Sequence, residues 1–163
     1  QIAAAAAAAA EVSPPERPLR VVVTGGSKGL GAALVREFHA AGDSVVTCGR
    51  DVEKLSVTHA DLERVSCVRA DVGLAADCNT FAAFVEKELG GCDVWINNAG
   101  SNGYVFDTLE ECEDETLESI VRTNALGTLL GCRSAIRLMR GQESGGWVFN
   151  MEGAGSDGNP TRK

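Results

Sequence analysis

The sequence predicts an α/β fold, a doubly wound parallel sheet with helices on both faces. Three observations predict it. Short β-branched runs alternate with stretches of helical periodicity along the chain. The joints between them are short and glycine-rich, as βαβ units require. A cluster of glycines also follows the first apolar run directly, between a predicted strand and a predicted helix.

The elements follow in order. Residues 19–24 (LRVVVT) read as a buried strand. Residues 28–41 have helical periodicity, with Leu30, Leu34, Val35 and Phe38 on one face, and Gly42-Asp43 stops them. A second strand is predicted over 44–48 (SVVTC), then a helix over 51–62 whose pattern weakens around Val57 and Thr58. Residues 65–70 form a third strand, and 75–89 a helix with Phe81, Phe84, Val85 and Leu89 inward, ended by Gly90-Gly91. The fourth strand is 93–97 (DVWIN), a long helix runs over about 114–139, and Gly145-Gly146 leads into a fifth strand at 147–151. Right-handed crossovers give the strand order 3-2-1-4-5. The ligand crevice then lies at the carboxyl ends of the strands, where the order reverses.

Composition sets limits on function. The 163 residues suffice for one domain, and 44% hydrophobic with 23% charged residues is ordinary for a globular chain. A net charge of −8 argues against nucleic acid as a partner and against a polybasic membrane anchor. The polyalanine tract at 3–10 is too short to span a bilayer. The chain begins with Gln1, and residues 1–18 read as a low-complexity targeting remnant or linker, leaving 19–163 as the folded domain. Six cysteines form no C-x-x-C pair and have no histidine at metal-ligand spacing, so no metal site is expected and they read as buried apolar residues. His39 and His59 are placed on helix surfaces, and the acidic stretch Glu110, Glu111, Glu113, Asp114 and Glu115 reads as a solvated helix start.

The glycine cluster carries the chemistry. In Thr24-Gly25-Gly26-Ser27-Lys28-Gly29-Leu30-Gly31, Gly25 permits a sharp turn, Gly29 lets backbone approach a pyrophosphate, and Gly31 lets helix and strand pack closely. Backbone amides across Gly25 to Gly31, with the helix N-terminus, would cradle a dinucleotide's diphosphate. A carboxylate at the end of the second strand would favour NAD. Cys48-Gly49-Arg50 stands there instead, so Arg50, helped by Lys28, would pair with the 2′-phosphate of NADP(H). Asp51 comes one position late and reads as the cap of the next helix.

The spacing T-G-x-x-x-G-x-G at Thr24 to Gly31, N-N-A-G at Asn97 to Gly100, the Asp71-Val72 pair after the third strand and Asn124 in the long helix together resemble the short-chain dehydrogenase/reductase family. The resemblance covers residues 19–151 and implies a Rossmann-like sheet of about seven strands, of which about five are present here. It implies cofactor contacts at Thr24, Gly25, Ser27, Lys28, Gly29, Leu30, Gly31, Arg50, Asp71, Val72, Asn98, Ala99 and Gly100. It also implies that Asn124, a polar residue read as buried amid Val121, Leu126 and Leu129, holds a water of a proton relay. A narrower resemblance rests on residues 42–50, on 124–131 and above all on F-N-M-E-G-A-G-S-D-G at 149–158. These stretches are similar to the plant and algal chlorophyll(ide) b reductases of the non-yellow-coloring type. That resemblance implies NADPH-dependent reduction of a formyl chlorin to its hydroxymethyl form, in the chloroplast, in the stroma or at the thylakoid surface.

Departures from the family pattern matter too. Gly153 stands where most relatives carry the catalytic serine, and the nearest hydroxyl, Ser156, is open to two readings, a substitute catalytic residue or a turn residue. Glu152, at the mouth of the fifth strand, is a candidate substrate contact. The family's Tyr-x-x-x-Lys pair belongs downstream of Lys163, and the chain's one tyrosine, Tyr104, has no lysine four residues on. The 163-residue chain is therefore expected to be a C-terminally shortened domain without reductase turnover, its fifth strand an exposed apolar edge. Three alternatives stay open beside the chlorin reading: reduction of another carbonyl substrate, a non-catalytic nucleotide-binding or scaffold role, and a cytoplasmic setting. Peripheral thylakoid association and homo- or hetero-oligomerisation are likewise left open.

Overall fold

A computed structural model describes residues 18–101 and 108–151. Strand β1 (Arg20–Thr24) leads into helix α1 (Gly29–Ala40), β2 (Ser44–Gly49) into α2 (Val52–Thr58), and β3 (Val65–Arg69) into α3 (Ala75–Leu89). After β4 (Val94–Asn97) and a short 3₁₀ turn (Leu109–Glu111) comes a long helical stretch. It consists of α4 (Asp114–Val121), a π-helical segment (Arg122–Leu126) and α5 (Gly127–Met139), and β5 (Trp147–Asn150) follows. All paired strands are parallel and lie in the order β3-β2-β1-β4-β5, as the alternation of runs predicts.

The β-branched runs explain the central position of β1. Val22 faces Val46 on one side and Trp95 on the other. Buried on both faces, such strands read as continuous apolar runs rather than alternating ones. Val21 and Val23 point to one layer with Val45, Val94 and Ile96, beneath Val35, Leu34 and Phe38 of α1. Val22 and Val46 point to the other, with Phe81 and Val85 of α3 and Ala135 and Met139 of α5. Phe81 meets Trp95 edge-on, with ring centroids 5.4 Å apart, which fixes α3 against β4.

At the amino ends of the strands, Asp93 is fully buried and accepts from Arg20 three times: the backbone N–H (2.9 Å), Nε (3.0 Å) and a terminal nitrogen (2.7 Å). This fork raises the Arg20 pKa and ties the start of β1 to the start of β4. The Gln142 side chain bonds the backbone N–H and C=O of Cys92, anchoring the approach to β5 in the same way.

Three sequence expectations need correction here. Leu30 is 54% exposed rather than part of the apolar face of α1, because the first turn of that helix overhangs the crevice instead of the sheet. The helix predicted over 51–62 stops at Thr58, since the chain turns inward at His59 to bury its imidazole. His59 is thus no surface residue, and His39 is half-buried with its Nε2 unpaired among the described residues.

Candidate nucleotide-binding cleft

An open cleft of about 500 Å³ lies over the carboxyl ends of β1, β2 and β4, where the strand order reverses. Every residue the sequence nominated for cofactor contact lines it except Thr24. Thr24 is buried beneath the floor. Its hydroxyl accepts from the N–H groups of Asn98 and Ala99, each at 3.0 Å. In return Asn98 Nδ2 donates to the Thr24 carbonyl at 2.9 Å. The glycine loop and the N-N-A-G turn are stitched together by these bonds. Gly25 makes the stitch possible: its φ is +73°, and a Cβ there would sit 2.9 Å from the Ala99 Cα.

The structure narrows which amides face the cleft. Gly25 and Gly26 both donate to the Cys48 carbonyl, at 2.9 and 3.3 Å, so their N–H groups are not part of the cradle that the sequence assigned across Gly25 to Gly31. The amides of Gly29, Leu30 and Gly31 begin α1 and have no acceptor within the helix. A Cβ at Gly31 would strike the Gly25 carbonyl and Asn98 Nδ2, so only glycine lets α1 start this close to the loop.

Charge is concentrated at the β2 end. Arg50, Lys28 and Lys54 all line the cleft. Asp51 is there too, and its carboxylate accepts the Lys54 N–H at 2.9 Å, capping α2 as the sequence predicts. Asp71, which follows the neighbouring strand β3, also lines the cleft and folds its carboxylate onto the Gly73 N–H (2.9 Å). Lys54, Ala70 and Thr123 are lining residues that sequence reading missed. Lys54 was findable, since it falls in the first turn of the helix that Asp51 caps, directly after Arg50.

Asn124 is exposed, not buried, and Val121, Leu126 and Leu129 around it are exposed as well. Its side chain grips the backbone of Ser101, accepting from the N–H at 2.8 Å and donating to the C=O at 2.7 Å. The π-helical segment explains the placement. One extra residue in the turn swings Asn124 toward the loop after β4, and Thr128 Oγ1 bonds its carbonyl at 2.8 Å. A second asparagine, Asn97, is the buried one. It accepts from Trp95 Nε1 and donates to Asn150 Oδ1, both at 2.8 Å, linking β4 to β5. Ser156, Gly153, Glu152 and Tyr104 lie outside the described residues.

All six cysteines are free thiols. Burial pushes Cys48 and Cys92 up to about 12. No helix among the described residues is long and apolar enough to cross a membrane.

The short chain dehydrogenase family model matches residues 20–162. Among curated proteins, the chain is 45% identical over 149 residues to "Chlorophyll(ide) b reductase NOL, chloroplastic" of Arabidopsis thaliana, covering 88% of this chain and 43% of that protein. It is 38% identical over 165 residues to "Probable chlorophyll(ide) b reductase NYC1, chloroplastic" of the same plant, covering 88% and 33%. The chain thus spans less than half the length of these relatives. Among solved structures it is similar to a short-chain dehydrogenase from Streptomyces avermitilis (TM-score 0.74, 29% identity, 83% of this chain and 49% of that one). It is also similar to an alcohol dehydrogenase from the archaeon Thermococcus sibiricus, solved with 5-hydroxy-NADP (TM-score 0.72, 27% identity, 80% and 56%). With the strand order, the glycine loop and the N-N-A-G turn in their places, the chain belongs to the short-chain dehydrogenase family.

Proposed function

We propose that residues 19–163 are the NADP(H)-binding part of a reductase that converts the formyl group of chlorophyll(ide) b to hydroxymethyl. The observation that carries this reading is the 45% identity to a plant chlorophyll(ide) b reductase over 149 residues, 88% of this chain. The chloroplast is the compartment consistent with the relatives' names, and the stroma or the thylakoid surface is our proposal for the place within it.

The residues present fit a phosphorylated dinucleotide. Gly29 has φ +53° and nothing within 4 Å of where a Cβ would stand, leaving its backbone open toward the cleft. The first-turn amides of α1 bind the diphosphate, aided by the positive end of the helix. Arg50 and Lys28 take the 2′-phosphate, while Asp51, engaged by the Lys54 amide, is withheld from the ribose. Asp71 and Val72 border the adenine, and Asn98, Ala99 and Gly100 border the nicotinamide side. Asn124 holds that segment in place through Ser101. NADPH, when bound, would supply the hydride, and Ser156 is the sequence's candidate for the catalytic hydroxyl.

Calorimetry with the purified chain tests the cofactor assignment. NADPH binding is expected, and Arg50→Asp should weaken it about thirtyfold, the loss of charge-assisted bonds, while leaving NADH binding level or improved. Equal losses for both nucleotides would refute the role of Arg50. Formyl-chlorin reduction by the full-length protein tests the substrate.

A further inference from the structure

The turn after α2 does something that the family motifs do not account for. His59 is only 3% exposed, and its Nε2 lies 2.9 Å from the carbonyl oxygen of Gly26, in the middle of the glycine loop. A carbonyl only accepts, so this contact requires the hydrogen on Nε2. Nδ1 is buried and meets no partner among the described residues, which suits a bare acceptor nitrogen better than an orphaned donor.

The turn that carries His59 is itself tied to α1. Arg36 donates to the Thr58 carbonyl at 2.6 Å and to both carboxylate oxygens of Asp61 at 3.0 Å, so helix and turn move as a unit. The Thr58 hydroxyl approaches the Ser27 carbonyl at 3.3 Å. It has one hydrogen, however, and the Lys54 carbonyl at 2.7 Å takes it. Of the two side chains of this turn that approach the loop, His59 is therefore the one with a committed donor.

Gly26 is fixed on three sides. Cys48 accepts its amide, His59 donates to its carbonyl, and Thr47 Oγ1 occupies the space a Cβ would need. Within a trans peptide the C=O and the following N–H point in opposite directions. A Gly26 carbonyl drawn back toward His59 thus turns the Ser27 amide away from it, on the residue that lines the cleft.

We infer that His59 is a positioning residue: by holding the Gly26 carbonyl, it aims the Ser27 amide at the diphosphate of the bound dinucleotide. This rests on the nucleotide-binding reading above and adds one amide to those supplied by the first turn of α1.

The test compares two ligands on three proteins. NADPH carries the diphosphate; adenosine 2′-monophosphate carries only the part held beside Arg50. His59→Phe, which keeps a ring and loses the donor, should raise the Kd for NADPH about tenfold and change that for adenosine 2′-monophosphate less than about twofold. His59→Gln, whose amide nitrogen reaches about as far as Nε2, should restore NADPH affinity to within about twofold of wild type. Two-bond ¹H–¹⁵N spectra of the wild-type chain should show the Nε2–H tautomer. Equal losses for both ligands, an unaffected Phe variant, a Gln variant that folds without recovery, or an Nδ1–H tautomer would each overturn the inference. If His59→Phe does not fold, the Gln variant and the tautomer decide. Wild-type protein that fails to bind NADPH would instead remove the nucleotide reading itself.

Discussion

Cys48 sits under the glycine loop with its carbonyl accepting two loop amides, while its thiol is sealed in the core behind α3. Burial pushes both this thiol and that of Cys92 up from 9.0 to about 12. Because the folded value lies above the unfolded one, the stabilisation is complete below pH 9 and is lost as pH rises from there toward 12. Denaturant titrations at pH 8 and pH 10.5 should therefore differ, with each thiol accounting for about 2 kcal/mol of the decline. Cys48→Ala should remove its share of that pH dependence. A wild-type-like decline in the variant would show that Cys48 does not contribute. At pH 8 an alkylating reagent should reach the half-buried Cys112 and Cys132 and spare Cys48 and Cys92.

Among the elements, α1 illustrates how a close approach is built from one missing side chain. The space beside Gly31 is filled by the Gly25 carbonyl and Asn98 Nδ2, both already bonded into the stitch between the glycine loop and the N-N-A-G turn. Gly31→Ala should destabilise the chain by about 2 kcal/mol, because the methyl group meets backbone that cannot yield cheaply. It should also weaken NADPH binding, since α1 must back away and carry its first-turn amides with it. Thermal melts and calorimetry on the same sample check both; a stable variant with native affinity would mean the helix can shift freely. The long stretch from Asp114 to Met139 shows the opposite device, an added residue. Its π-helical turn places Asn124 over Ser101, so the segment beside the cofactor cleft is held from a helix rather than from the sheet.

For the molecule as a whole, the sheet ends in unequal edges. At one edge, β3 has its first four residues half-buried and is followed by the tight turn at Asp71. At the other edge β5 pairs with β4, and Phe149 and Met151 are 52% and 44% exposed. Among the described residues no strand pairs with the outer side of β5, and an apolar strand so placed is a template for pairing with another chain. The 163-residue chain should therefore self-associate reversibly in sedimentation velocity runs, and Phe149→Lys should shift it toward the monomer without lowering its melting temperature by more than a degree or two, roughly the scale of a surface change. Association unchanged by the lysine would place the contact elsewhere.

The sequence by itself determined the sheet. Runs such as VVVT and SVVTC have no other low-energy use than buried parallel strands, and glycines between them leave few ways to connect. The strand order, the cleft position and the lining by Lys28, Arg50, Asp71 and Asn98 followed from local pattern, because each depends on residues near in sequence to a strand end. Tertiary structure alone decided the rest. Whether a polar side chain is buried depends on partners far along the chain: Asn97 rather than Asn124 is the inward asparagine, since Trp95 and Asn150 meet it there. His59 turned inward because a carbonyl thirty-three residues earlier awaited a donor, a pairing that helical periodicity cannot register. The amides of Gly25 and Gly26 were likewise claimed by Cys48 across the sheet, which only the folded register brings within reach.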